Sequence, residues 1–199
     1  MSNIFFTSDS HYSHANIIKY CNRPYDSVKD MNIDLVNKWN EQVNHNDTVY
    51  HLGDVAWGHM DLNVLNGKKI LIIGNHDKPS QLAPYFEEMH YYLELKKLLP
   101  KGRSVILFHY PIESWNGKFH KGVHLHGHSH GTCNNTGLRR FDVGVDCWDM
   151  RPIPFDNIIS MLPIRDQEAE TTKGMQSRDD AFRELNATAD KDYNESEVQ

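Results

Sequence analysis

The stretch Ile70-Leu71-Ile72-Ile73-Gly74-Asn75-His76-Asp77 is an apolar run, broken by a glycine and followed at once by polar side chains suited to metals or protons. A short apolar run bounded by a turn residue reads as a buried strand. Four further placements repeat the pattern: Asp9-Ser10-His11 after Ile4-Phe5-Phe6, Gly53-Asp54 after Val49-Tyr50-His51-Leu52, His109 after Val105-Ile106-Leu107-Phe108, and Gly127-His128-Ser129-His130 after Val123-His124-Leu125. Taken singly, each has a bland explanation: a polar turn, or a histidine satisfied inside a core. Five such strand ends in one chain make coincidence a poor account. A packed sheet would carry all five sets of side chains to one edge.

Outward from these runs, strands and helices alternate in the first half and strands dominate later. Strands are expected at residues 3–8, 48–52, 68–73, 89–96, 104–108, 122–125 and 138–145. Helices are expected at 14–20, from an Asp30 cap onward with Ile33, Val36, Val43 and Trp39 on the apolar face, at 79–86, and at 155–162. This order suits an α/β sandwich, with sheet inside and helices outside.

With 199 residues, 39% of them hydrophobic and 24% charged, the chain suits one globular domain, here set at residues 1–163. Residues 164–199 form an acidic polar tail, partly helical or disordered, with 175–185 as its helical candidate. From Arg165 onward ten acidic residues stand against five basic ones, so most of the formal charge of -6 lies there. A nucleic-acid-coating protein would be basic, which disfavours that class. Cys21, Cys133 and Cys147 are scattered and form no CxxC pair, as in a reduced cytoplasmic protein. Neither a leader peptide nor a membrane span is expected.

The ordered set Asp9-x-His11, Gly53-Asp54, Gly74-Asn75-His76-Asp77, His109 and Gly127-His128-x-His130 resembles the calcineurin-like metallophosphoesterase superfamily. The resemblance implies a four-layer α/β/β/α sandwich of the metallophosphoesterase type. It also implies a dinuclear centre of two divalent metal ions. Asp9, His11 and His130 would hold one ion, Asn75, His109 and His128 the other, and Asp54 would bridge them. Imidazole, carboxylate and amide oxygen suit manganese, iron or zinc, with manganese the expected activator in assays. The family chemistry is attack on phosphorus by a hydroxide shared between the ions, with His76 facing the leaving group as the catalytic proton donor.

Departures from the pattern narrow the substrate. Trp57 stands where the protein phosphatase branch carries an aspartate after Gly-Asp, which argues against that branch. The chain has little length for the capping region of the nuclease branch. The expected substrate is therefore a small or nucleotide-like phosphodiester. The alternatives are a phosphomonoesterase on a nucleotide or metabolite, and a non-catalytic interaction module on the same fold. His14, Asn16 and Arg23 are the candidate substrate-binding residues, with Arg23 equally suited to capping a structural carboxylate. Trp57 and Trp115 could stack on a base or simply pack, and residues 113–121 read as a substrate-selecting loop. His126 is expected to support the site without ligating metal.

Overall fold

The computed structural model describes residues 2–173. Its elements run β1 (Ile4–Thr7), α1 (Ala15–Tyr20), α2 (Val28–Gln42), β2 (Thr48–His51), β3 (Lys68–Ile72), α3 (Pro79–Leu82), β4 (Glu88–His90), β5 (Tyr92–Leu95), β6 (Val105–Phe108), β7 (Val123–His126), β8 (Arg140–Asp142) and β9 (Ile153–Pro154), followed by helix α4 over 155–173. The expected helix at 175–185 lies outside the described residues.

Two sheets form the α/β sandwich. The first has the order β4-β3-β2-β1-β9 and the second β5-β6-β7-β8. Strands β1 to β4 are mutually parallel, as are β6 to β8, with β9 and β5 antiparallel to their neighbours. Parallel strands present their carboxyl ends on one edge, the usual location of sites in such sheets. The expected strand at 89–96 is in fact two. It breaks at Tyr91, leaving β4 in the first sheet and β5 in the second, so an alternation that looks continuous serves two different cores.

Helix α2 starts earlier than expected. Ser27 is its N-cap and accepts from the Asp30 backbone N–H at 3.1 Å, while Asp30 sits in the first turn and takes the Ser27 hydroxyl. Its buried stripe is Met31, Leu35 and Trp39, spaced four apart, whereas Ile33 is about half exposed. Spacing by four keeps side chains on one face, and that stripe wins because it meets Phe5, Val49 and Leu71 in one buried cluster. Tight packing there fixes the sheet whose ends carry the site.

The chain divides into two compact units, Met1–Asn135 with Arg139–Ser160, and Thr136–Leu138 with Met161–Gln199. All nine described strands belong to the first. In the second, Glu168 accepts from the Gly137 backbone N–H at 3.0 Å and from Arg165 at 2.9 Å. Residues 164–173, assigned to the polar tail by composition, continue α4. No helix among the described residues is long and apolar enough to cross a membrane.

Candidate metal centre

The carboxyl ends of β1, β2, β3, β6 and β7 release Asp9, Asp54, Asn75, His109 and His128 in turn. Parallel pairing continues beyond the strands and locks the first two loops together. Asp9 N–H donates to Gly53 O at 2.9 Å, His11 N–H to Asp54 O at 3.0 Å and Tyr12 N–H to Val55 O at 2.9 Å. In the second sheet Gly127 N–H donates to His109 O at 2.9 Å, and that sheet joins the first where Ser8 bridges Gly144 and accepts from Val145 N–H at 3.0 Å.

Asp9, His11 and His130 bring one donor atom each into a single cluster. Nε2 of His11 and Nε2 of His130 both lie 4.0 Å from Asp9 Oδ1, and His11 Nε2 is 3.7 Å from Asp54 Oδ2. Donors each about 2.1 Å from a shared ion lie roughly 3 to 4 Å apart, so these spacings suit a cation better than direct hydrogen bonds. Burial pushes the Asp9 carboxyl up to about 8 and the His11 imidazole down to about 2. Burial thus favours the neutral form of both groups, and a cation bound between them would favour the Asp9 carboxylate.

A second group surrounds the other side of Asp54. His109 Nε2 is 3.7 Å from Asp54 Oδ1, and Asp54, Asp9 and His109 cluster. The amide oxygen of Asn75 lies 2.9 Å from His109 Nε2 and 3.1 Å from His128 Nδ1. His109 Nδ1–H donates to Leu52 O at 2.7 Å, which leaves its Nε2 unprotonated and turned toward the carboxylate. His128 and His76 stand at the solvent side; His76 Nε2 is 4.0 Å from Asp54 Oδ2, and its backbone N–H donates to Asp54 Oδ1 at 2.9 Å.

The supporting residues are those the sequence reading passed over. Asp146 receives His130 Nδ1–H at 2.7 Å and a two-pronged contact from Arg23 at 2.7 and 2.9 Å. Burial raises that carboxyl, but the bonds from His130 and Arg23 outweigh it and hold it near about 2. Asp77 accepts from the backbone N–H groups of Asp54, Val55 and Gly74 at 3.0, 2.8 and 2.8 Å, tying the β2 and β3 loops together. Asp142 does the same for the β7 loop through Ser129 and Gly131. The run Asp142-x-Gly144-x-Asp146 after a strand could have signalled this, but it lacks the histidines that mark the other loops.

Arg23 corrects an expectation. It is buried, and its five N–H groups are matched by Asp146, the carbonyls of Ser10 and Asp9, and Met31 sulfur. A phosphate would have to break one of these, so Arg23 acts as the structural cap and not as a substrate contact. His14 and Asn16 do line the open cleft of about 690 Å³ beside the donors, together with Tyr20, Trp57 and His76. Trp115 packs inside and donates to Gly122 O, and His126 is buried, bonded to Gly127 O at 2.8 Å and to Asn135 at 3.2 Å.

The backbone at the site is strained. Asp9, His11, Asp54, His128 and His130 all adopt positive φ, between 45° and 67°. Non-glycine residues there cost roughly 1 kcal/mol or more each and cluster at functional sites. Gly127 is required for a different reason: a Cβ there would run into Ser8 Oγ and Asp9 Oδ2.

Two of the buried side-chain atoms without a hydrogen-bond partner are Asp9 Oδ1 and His11 Nε2. Buried polar atoms are nearly always satisfied. Two orphaned acceptors facing one point, in an oxygen- and imidazole-rich set, are what a divalent cation would complete. Comparison with known proteins agrees. A family model described as calcineurin-like phosphoesterase matches residues 2–187. An uncharacterized protein of Methanocaldococcus jannaschii is 34% identical over 175 residues, spanning 81% of this chain and 92% of its own. The gene 66 protein of Mycobacterium phage D29 is 30% identical over 197 residues, spanning 81% of this chain and 96% of its own. The crystal structure of a protein of unknown function from Aquifex aeolicus matches with a TM-score of 0.68 and 28% identity, covering 81% of this chain and all of that one. The chain therefore belongs to the calcineurin-like phosphoesterase family.

Proposed function

We propose that the protein is a metal-dependent phosphoester hydrolase acting on a small or nucleotide-like phosphodiester. The observation that carries this is the pair of donor groups on either side of Asp54, with Asp9 Oδ1 and His11 Nε2 buried and unpartnered. Asp9, His11 and His130 would hold one cation, and Asn75, His109 and His128 the other, with Asp54 between. Divalent cations bound there supply Lewis-acid charge to phosphoryl oxygens and make water acidic enough to act as a nucleophile. Manganese, iron and zinc all suit the donor set.

The chain's own side chains do the rest. Asp146 and the Leu52 carbonyl fix the ring orientation of His130 and His109, so each presents a lone pair to the centre. Asp77 holds the Asp54 loop against the Asn75 loop and keeps the Asp54 carboxylate in place. His76, with its side chain 43% exposed beside Asp54, is placed to give a proton to the departing oxygen. The scattered, unpaired thiols fit a cytoplasmic setting.

The test is hydrolysis of bis- and mono-nitrophenyl phosphate with added manganese, with chelated enzyme and Asp54→Asn as controls. Turnover that both controls abolish, faster on the diester, is the expected result. Absence of turnover on these esters and on nucleotide mono- and diesters, in folded protein with both metals bound, would defeat the hydrolase reading and favour an interaction module on the same fold.

A further inference from the structure

Trp57 occupies an unusual position beside the donors. It is 53% exposed, yet its ring is pinned. One face lies parallel to the His14 ring, with centroids 4.4 Å apart and planes 15° from each other. His14 is itself fixed, because its Nδ1 lies 3.3 Å from Nδ1 of His11, on the side of that ring away from the metal donors. Tyr20 meets the His14 ring edge-on at 6.3 Å. With His14 against one face and about half its surface still open, Trp57 has ring surface available to a ligand. Exposure alone is common for single apolar side chains; what sets Trp57 apart is a ring held by stacking at the edge of the cleft that the donors line.

The open surface leads somewhere. Trp57 lines the metal cleft's wall and also a second cleft of about 550 Å³, bounded by Ala56, Met60, Pro84, Tyr85 and Lys78. His76 lines the metal cleft beside Trp57, its Nε2 4.0 Å from Asp54 and its ring 5.0 Å from the Trp57 ring. A group attached to the phosphate on the His76 side therefore passes directly onto Trp57.

We propose that Trp57, lying against the His14 ring, is a stacking platform for a planar aromatic base on the leaving-group arm of the substrate. The substrate class is thereby a nucleotide ester, with phosphate at the donors and base in the second cleft. The sugar spans the step occupied by His76. Base stacking on an aromatic side chain is tolerant of base identity, so little discrimination among the four bases follows. This inference rests on the phosphoesterase reading of the donor groups.

The test is equilibrium binding of adenosine 5′-monophosphate and ribose 5-phosphate to manganese-loaded protein, which share a phosphate and differ by the base. Stacking predicts that the nucleotide binds about 10- to 100-fold more tightly. Trp57→Ala should bring that ratio near one, Trp57→Phe should keep most of it, and Trp57→Leu, similar in bulk but not planar, should lose it. A ratio near one in wild type, failure of both ligands to bind, or a Trp57→Ala variant that weakens both equally would overturn the platform. The two readings separate cleanly. Loss of the ratio in a protein that still hydrolyses nitrophenyl esters defeats the platform alone, while an intact ratio without hydrolysis defeats only the enzyme.

Discussion

Replacing Asp146 with asparagine keeps the shape of the side chain and removes its charge, which makes it the sharpest probe of how the centre is supported. The carboxylate receives three bonds of 2.7 to 2.9 Å, two from Arg23 and one from His130. Neither partner is near water on the Arg23 side: that guanidinium is 0% exposed and the carboxylate 8%. Asp146→Asn therefore strands a buried cation against an amide that must turn one N–H toward a donor. Breaking a buried pair in this way costs about 3 to 5 kcal/mol. In a domain of this size that corresponds to a fall in Tm of roughly 10 °C. His130 simultaneously loses the acceptor that sets its tautomer, and such losses weaken metal binding by about 10- to 100-fold. Thermal unfolding of the chelated protein would read the first effect, and manganese titration at fixed temperature the second. Adding Arg23→Met to Asp146→Asn should recover part of the Tm, because the stranded charge is gone, but none of the metal affinity. A single variant within about 2 °C of wild type, or a double variant that regains metal affinity, would refute this account.

Other consequences can be checked directly. In chelated protein at pH 8, Asp9→Asn should raise stability, because burial lifts the Asp9 carboxyl to about 8 and stability from that group falls as pH rises from about 4 to 8; with saturating manganese the order should reverse, and thermal unfolding under both conditions decides. Manganese at about a hundred times its dissociation constant should stabilise wild type by about 2.7 kcal/mol for each cation bound, read as a Tm increase. Gly127→Ala should cost roughly 1 to 3 kcal/mol and abolish metal binding, since its methyl group collides with Ser8 and Asp9; a folded variant with normal manganese content contradicts that. His124 is buried, with Nδ1 3.2 Å from the Ile106 carbonyl and Nε2 accepting from Ile112 N–H at 3.4 Å, and burial outweighs the carbonyls of Ile106 and Tyr110 to hold it neutral down to about 3. Its contribution is present above pH 6.5 and is lost as pH falls toward 3, so His124→Gln should flatten acid destabilisation by about 2 kcal/mol between pH 7 and 5 in denaturant titrations.

The strand ends were legible because parallel strands buried on both faces are written as continuous apolar runs, and the polar residues that follow stand out against them. Asp9, Asp54, Asn75, His109 and His128 each advertise their place this way. Arg23 was not legible, because nothing local tells whether a guanidinium will meet a phosphate or a carboxylate. Its partner, Asp146, lies 123 positions away. The break at Tyr91 was hidden for a related reason: a two-residue alternation continues unbroken while the chain changes sheets. Helix α2 shows competition between faces, where Ile33 is as apolar as Leu35 but only the latter faces Phe5 and Val49. Trp57 was equally ambiguous, since exposure is a property of the assembled surface.

Left-handed backbone at five donor residues also has a practical meaning for anyone selecting variants of this protein. Glycine at His11, His128 or His130 would relax the turn at once, and so would asparagine to a lesser degree. A screen that rewards heat tolerance without added metal would be drawn to these positions and would enrich proteins that fold better and bind nothing. Only a screen run with the cation present, scoring binding alongside survival, pulls in the other direction.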